Sequence, residues 1–238
     1  ASNVDGLKNS SIKKDSLITS WKDISANGND AISVGPSTLI NNQMNFSGLT
    51  NSDGNFFYIL RNNNSLNLSR YSIFVVLKPD SFNNTWTSVF GGAGINNIGR
   101  NFNFWIHNSG YIHHSFHSNV SSSDSHNSSA GLITTNQNHI VNITNSGSVS
   151  KIYSNGILKN TKTGYSTIFS NSNNINIGRN LDQVDNITKS IMFDGTIAEI
   201  IVFNDELTSS RRAEVNAYLA KKWNLQSHVD SDADGTLD

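Results

Sequence analysis

The chain of 238 residues contains no cysteine, which excludes disulfide cross-links, thiol chemistry and cysteine-based zinc sites. No apolar run approaches the roughly 18 residues that a membrane-spanning helix needs, so membrane insertion is not expected. Lys and Arg total 17 against 18 Asp and Glu, for a net charge of −1. That balance provides no broad field to attract nucleic acid or an acidic membrane. Charged residues are only 15% of the chain, and glutamate occurs only at Glu199, Glu206 and Glu214. Chemistry that needs paired glutamates therefore has few places to sit. The opening ASNVDGLKNSS has no basic segment followed by an apolar one, so a secretion signal is expected to have been removed or to lie outside this sequence.

In place of charge the chain carries amides and hydroxyls. Asn and Ser make up about 30% of it, far above ordinary usage. Short apolar segments interrupt these polar residues regularly, which places the polar ones in turns and on the solvent side of sheets. The segments are QMNFSG (43–48), FFYIL (56–60), YSIFVVLKP (71–79), TSVFGG (87–92), FNFWIH (102–107), YIHHSFH (111–117), HIVNIT (139–144), SKIYSNGILK (150–159), NNINIG (173–178) and IAEIIVF (197–203). Some ten strands without interleaved helices predict an all-β antiparallel sandwich or barrel. YSIFVVLK is apolar almost throughout and should be a central strand covered on both faces. Asn155-Gly156 is the strongest hairpin signal, because a type I′ turn requires positive φ at both central positions. One helix is expected in LTSSRRAEVNAYLAKKWNL. Thr208 or Ser209 caps it, Val215, Tyr218, Leu219 and Trp223 fall at helical spacing, and Lys221 and Lys222 sit in its last turn.

After Leu225 the sequence changes to QSHVDSDADGTLD. Asp230, Asp232 and Asp234 occupy positions 1, 3 and 5 of a calcium loop, with Gly235 at the sharp-turn position 6. Alternating carboxylates suit a hard cation that a loop must encircle with oxygen. The position-12 ligand is missing, so the loop is incomplete and a structural calcium would bind weakly. The pattern D-x-D-x-D-G-x-x-D resembles the thrombospondin type 3 calcium repeat, a spacer between modules of secreted proteins. That resemblance implies one domain over 1–225, a calcium-binding linker beginning at 226–238, and covalently linked neighbouring domains in a longer, secreted or cell-surface protein.

Five segments in order resemble the laminin-G-like, concanavalin A-like lectin/glucanase superfamily. SWKDISANGNDAIS (20–33) is similar to the opening motif of bacterial members, with Ala26 in place of the usual glycine. FVVLKP, HIVNITNSGSVSKIYSNGILK, INIGRN and FDGTIAEIIVFNDELTSSRRAEVNAYLAKKW resemble the segments that follow, and the likeness runs from about residue 16 to 225. It implies a concanavalin A-like jelly-roll β-sandwich of two antiparallel sheets with a short C-terminal helix. Trp21 and Asp23 then read as core indole and turn carboxylate, while Asp23 and Asp30 are candidates for a structural calcium of the kind such lectins hold. The family contains glycan-binding modules, protein-binding modules and glycosidases on one sandwich, so fold alone does not decide function.

A retaining glycosidase needs two carboxyl groups about 5–5.5 Å apart. Asp194 and Glu199 are five residues apart, which puts them on opposite faces of a regular strand. A polysaccharide lyase needs a base near neutral pH and a group to neutralise a uronate. Tyr111, His113, Arg100 and Asn101 supply the residue types, but the R-x-E-x-R and Q-I-H strands of jelly-roll alginate lyases are absent. The domain is therefore expected to be non-catalytic, though it can be appended to a carbohydrate-active enzyme.

The stretch NFNFWIHNSGYIHHSFHS (101–118) concentrates a tryptophan, a tyrosine and four histidines around a turn. A three-residue loop, Asn108-Ser109-Gly110, pairs His107 with Tyr111, Ile106 with Ile112, Trp105 with His113, Phe104 with His114 and Phe102 with Phe116. One face is then apolar except for His114, and the loop ends on the glycine that a left-handed position requires. The other face presents Asn101, Asn103, Trp105, His107, Tyr111, His113, Ser115 and His117, with Arg100 at the strand end; it is either open or a cross-strand Trp105–Tyr111 pair covered by another strand or loop, and Trp86 reads either as a second stacking aromatic or as core packing. Aromatic faces beside amides and imidazoles suit a pyranose, whose C–H side covers a ring while its hydroxyls find polar groups at the edge. The expected function is polysaccharide binding through this face. The alternatives are a protein-binding or structural adhesin module and, behind it, a lyase or glycosidase. A metal held by His107 and His113 lacks a third ligand on that face. Arg179 either reaches a ligand over the rim or pairs with a carboxylate.

Overall fold

The run YSIFVVLKP has apolar side chains on both faces and needs cover on both. It forms a nine-residue strand, Tyr71–Pro79, at the centre of a seven-stranded antiparallel sheet. The computed structural model describes the chain except residues 1–2, 4, 11, 13–15, 26, 36, 49–55, 60–63, 93–99, 120–121, 166–173, 185–186 and 233. Backbone alone is described at 64, 100–101, 116–119, 122–123, 181–184 and 187–190.

The strands are, in order, β1 (Ser20–Trp21), β2 (Ala31–Val34), β3 (Thr38–Ile40), β4 (Gln43–Ser47), β5 (Phe56–Ile59) and β6 (Tyr71–Pro79). Then come β7 (Trp86–Gly92), β8 (Arg100–His107), β9 (Ile112–Asn119), β10 (Ser122–Asn127), β11 (His139–Asn145) and β12 (Val149–Ser154). The last are β13 (Ile157–Thr163), β14 (Ile175–Ile177), β15 (Arg179–Val184), β16 (Ile187–Met192) and β17 (Asp194–Phe203), followed by helix α1 (Ser209–Trp223). One sheet runs β1-β2-β5-β14-β7-β8-β9-β10 and the other β13-β12-β11-β6-β17-β4-β3, while β15 and β16 form a separate two-stranded sheet. The result is a two-sheet antiparallel sandwich of jelly-roll type with one C-terminal helix.

Alternation along β6 divides its residues between two cores. Tyr71, Ile73, Val75 and Leu77 point into the sandwich, where they join Phe102, Phe104, Ile106 and Ile112 from the opposite sheet. Phe74 and Val76 point outward and meet Leu219 and Ala220 of α1. Both sides are closed, as the apolar run predicts. The helix begins on Thr208, whose side chain accepts from Arg211 N at 3.3 Å, and ends on Asn224, which is left-handed at φ 56°. Asn tolerates that conformation better than most residues.

Strand β17 is not regular. Its register against β6 shifts between Ile197 and Glu199, so Ala198 lies in the outer core and Glu199 also turns toward the helix. The Glu199 carboxylate accepts from Tyr218 Oη at 2.9 Å, Trp223 Nε1 at 2.9 Å and Lys222 Nζ at 2.8 Å. The expectation that Glu199 leaves the face that regular alternation gives Asp194 rested on a regular strand, and the bulge removes it. Its side chain ties the helix to the sheet.

The Asn155-Gly156 turn has φ values of 50° and 87°, as a type I′ hairpin requires. Gly156 has a further reason to be glycine: a Cβ there would run into the carbonyl of Asp230. Asp230 N donates to Asn155 O at 2.9 Å, and Val229 is fully buried in the outer core. The chain after the helix is thus packed onto the sandwich through this turn.

Candidate functional site

The β8–β9 hairpin follows the register that its pattern and turn chemistry demand. Ile106 pairs with Ile112, Trp105 with His113 and Phe104 with His114. His107 N donates to Tyr111 O at 3.0 Å, closing the three-residue loop, and Gly110 has φ 78°. The turn rests on the segment after β10, with Gly131 N donating to Ser109 O and Ile133 N to Gly110 O, both at 2.8 Å. A side chain at position 110 would strike the Ile133 carbonyl. Farther from the turn the register slips between Arg100 and Asn103, so that His117 pairs with Arg100 instead of the Asn101 that an unbroken ladder gives. The side chains of Arg100, Asn101 and His117 lie outside the described residues.

On the outer face five rings meet. Trp86, which pairs with His107 across β7 and β8, stands at the centre. Its indole is 4.8 Å from the His107 ring, 4.8 Å from His113, 5.7 Å from Tyr111 and 5.8 Å from Trp105. His107 and Tyr111 stack nearly parallel, 4.5 Å apart at 11°, and Trp105 stacks with His113 at 5.8 Å and 27°. Trp86, His107, Tyr111 and His113 are all part-exposed.

Two expected members of the open face are covered. Trp105 is 4% exposed and Asn103 0%. Asn103 Oδ1 accepts from Asn180 Nδ2 of β15 at 2.8 Å, and Asn103 Nδ2 donates to Ser115 Oγ at 3.4 Å. An amide satisfied in this way needs no ligand. The face is open at its turn end and covered toward β15, so Trp86 is its accessible indole and Trp105 lies beneath.

The imidazoles are held in defined forms. Ser109 N donates to His107 Nδ1 at 3.1 Å, with the Ser109 hydroxyl 2.7 Å from the same nitrogen. A backbone N–H can only donate, so Nδ1 is an acceptor and the proton sits on Nε2. His113 Nδ1 lies 2.7 Å from Asn127 Oδ1, an acceptor, so there Nδ1 carries the proton. Burial pushes the Tyr111 hydroxyl up from its ordinary value, the wrong direction for the base of a lyase.

The inner face holds two further histidines. His114 is fully buried, donating from Nδ1 to Asn103 O at 3.1 Å and accepting at Nε2 from Tyr71 Oη at 2.8 Å. Tyr165 Oη donates to the His114 carbonyl at 2.9 Å. His126 pairs with His114 across β9 and β10 and contacts Ser150 Oγ at 2.9 Å through Nδ1. Burial holds His114 down to about 3 and His126 down to about 4, so both are neutral core groups.

The carboxylates considered for catalysis or metal binding have other partners. Asp194 Oδ2 accepts from Ser81 Oγ and from Asn83 Nδ2 at 3.2 Å, and Glu199 anchors the helix. Asp194 and Glu199 are also separated by most of a strand, on the order of 15 Å, far beyond a retaining dyad. Asp23 accepts from Ser25 N, Asn29 N and Asn29 Nδ2 at 2.8 to 3.0 Å. Asp30 takes Lys22 Nζ at 2.5 Å and Asp23 N at 2.9 Å, so the pair folds the 23–30 turn. Arg179 lies over the Phe56 ring at 4.6 Å.

At the C-terminal end, Asp230, Asp232 and Asp238 bring one carboxylate oxygen each to within 4.8 Å of one another. Asp230 also accepts from Asp234 N at 3.2 Å and Gly235 N at 3.0 Å, which curls the loop. Asp234, expected as the third ligand, instead accepts from Thr236 N at 2.8 Å and Thr236 Oγ1 at 2.6 Å. Asp238, the ninth residue of the loop, takes its place in the cluster. An all-carboxylate donor set of this kind fits a hard cation such as Ca²⁺.

A two-sheet jelly-roll with an aromatic and imidazole rim defines a lectin-like sandwich. The model of the concanavalin A-like lectin/glucanases superfamily matches residues 53–211, and the chain belongs to that family. A search of curated proteins finds no match. Among solved structures the chain resembles one of botulinum neurotoxin type C, whose cell entry is described as dependent upon interaction with two ganglioside molecules. There the identity is 18% and the TM-score 0.64, covering 86% of this chain and 52% of that one. It also resembles the binding domain of botulinum neurotoxin DC in complex with rat synaptotagmin II (17%, TM-score 0.62, covering 87% and 50%). The binding domain of serotype G gives 17%, a TM-score of 0.60, and coverage of 82% and 48%. The chain spans about half the length of these structures, and the likeness is one of fold.

Proposed function

We propose that this domain is a non-catalytic carbohydrate-binding module of a larger secreted or cell-surface protein, and that it binds a polysaccharide at the rim formed by Trp86, His107, Tyr111 and His113. The observation that carries this reading is the part-exposed indole of Trp86, set among three polar-edged rings with no charged side chain in the ring cluster. An exposed indole offers a pyranose its C–H stacking surface, and the imidazole and phenol edges offer hydrogen bonds. The similar fold of a toxin whose cell entry is described as ganglioside-dependent supports a glycan ligand. The engagement of Asp194 and Glu199 elsewhere supports a binding role over a hydrolytic one.

Asp230, Asp232 and Asp238 would hold a structural calcium, which would brace the segment leading into the neighbouring domain. The test of the rim is affinity electrophoresis in polysaccharide gels, backed by a glycan array, with wild type and Trp86→Ala. Retardation lost in the variant at an unchanged melting temperature supports the site. Wild-type binding that is absent, or indifferent to Trp86, overturns it. Trp105→Ala is the poorer probe, since that ring is buried and its loss would disturb packing.

A further inference from the structure

The rim also carries information about the charge of its ligand. His107 accepts at Nδ1 from the backbone N–H of Ser109, a bond that exists only while that nitrogen is unprotonated. The loop residue is fixed in turn, because Ser109 O accepts from Gly131 N and Gly110 is pinned against Ile133. His107 therefore presents Nε2–H at the edge of a ring stacked on Tyr111 and set against Trp86. His113 is held by Asn127 and stacks on Trp105. Among the described residues, the groups facing the two imidazoles include Trp86 from β7, Trp105 from β8, Ser109 and Tyr111 from the turn, and Asn127 from β10. Tyr111 is the titratable one among these, and none carries charge at neutral pH. From the edge of the opposite sheet, Asn160 of β13 reaches the Asn127 carbonyl at 2.6 Å, and Lys162 is paired with Asp124 farther along β10.

We infer that the rim selects an uncharged hexose polymer over a sulfated or uronic one at neutral pH, and that His107 Nε2–H is the donor that reads a ring hydroxyl. The inference rests on the glycan-binding reading above. With Nδ1 taken by the Ser109 N–H, His107 meets a ligand through a single N–H, and among the described residues the ring cluster holds no cation to pair with a sulfate or a carboxylate.

The experiment compares retention on laminarin and agarose, both neutral, with carrageenan and alginate, at pH 7.5. Wild type, His107→Phe and Trp86→Ala are run together, and circular dichroism confirms that each is folded. The expected result is retention on laminarin or agarose and none on carrageenan or alginate. His107→Phe keeps the stacked ring but loses the donor, and should bind about tenfold more weakly at pH 7.5. A preference for carrageenan or alginate at pH 7.5, or His107→Phe binding as well as wild type there, overturns this inference. If that binding still depends on Trp86, the glycan-binding reading stands. No retention on any polymer overturns both.

Discussion

Acid should destabilise this fold well before its carboxylates titrate. His114 and His126 are 0% and 2% exposed, and burial holds them down to about 3 and about 4, against about 6.5 for a free imidazole. The unfolded chain therefore binds protons that the native state refuses. Stability from this source is complete above pH 6.5 and is lost as pH falls toward the native values. A pH of 5.0 lies about 1.5 units below the unfolded value and above both native ones, which costs about 2 kcal/mol for each group, or about 4 kcal/mol for the pair. The structure gives the cost a local cause. His114 Nδ1 and Nε2 are both already committed, to Asn103 O and Tyr71 Oη, and His126 Nε2 has no hydrogen-bond partner among the described residues. His139, also pushed down by burial, adds in the same direction. The lowered carboxylates Asp23, Asp205 and Asp234 act below about pH 4 and leave this window clear. Urea unfolding at pH 7.5 and 5.0 measures the difference, and His126→Gln should reduce it by about half. Equal stability at the two pH values would falsify the assignment of two neutral core histidines, as would a native His114 resonance that titrates near pH 6.5.

Removing the Glu199 side chain leaves Trp223 Nε1 and Lys222 without their shared acceptor, so Glu199→Ala should cost about 2–3 kcal/mol. Chemical denaturation checks this, and a loss below about 0.5 kcal/mol would show that the helix is held by its apolar face alone. Gly156→Ala combines a left-handed φ of 87° with a clash against Asp230, and should lower stability by about 2 kcal/mol or more. An unchanged melting temperature in that variant would mean that the 226–238 segment does not dock on the turn. Millimolar Ca²⁺ should raise the melting temperature, chelation should reverse the rise, and Asp230→Asn should abolish it. The calcium proposal fails if wild type shows no shift.

The parts of the fold visible in sequence are those where two physical signals agree. The β8–β9 register follows from apolar alternation and from Gly110 at the loop end, and the Asn155-Gly156 turn stands between two patterned strands. Strand β10 carries neither signal. Its sequence is SSDSHN, and its inward positions are filled by Asp124 and His126, so no hydrophobic period marks it. His126 finds Ser150 and Asp124 finds Lys162 across the sandwich. Polar groups can occupy inward positions when partners satisfy them, and those partners come from distant parts of the chain. The bulge in β17 is invisible for a related reason. Nothing local to IAEIIVF sets it, and its effect shows only in Glu199 meeting Tyr218, Lys222 and Trp223 of a later helix.

The same limit applies to the candidate face. Strand alternation says which side of a sheet a residue occupies, and Asn103, Trp105, His107, Tyr111 and His113 do share one side. It says nothing about what lies over that side. Asn180, 77 residues downstream in sequence, caps Asn103, and the cover stops short of the turn, where Trp86 enters from a strand paired to β8. The open end is therefore defined by a third strand and a later hairpin, neither of which the 101–118 stretch contains. This shifts the weight of the site from the buried Trp105 to Trp86, and from a long aromatic track to a compact rim at one hairpin end. On the proposed glycan-binding reading, a rim of that size would hold the end or a few units of a chain. Retention should then depend more on the identity of those few units than on polymer length, and short oligosaccharides should compete for it.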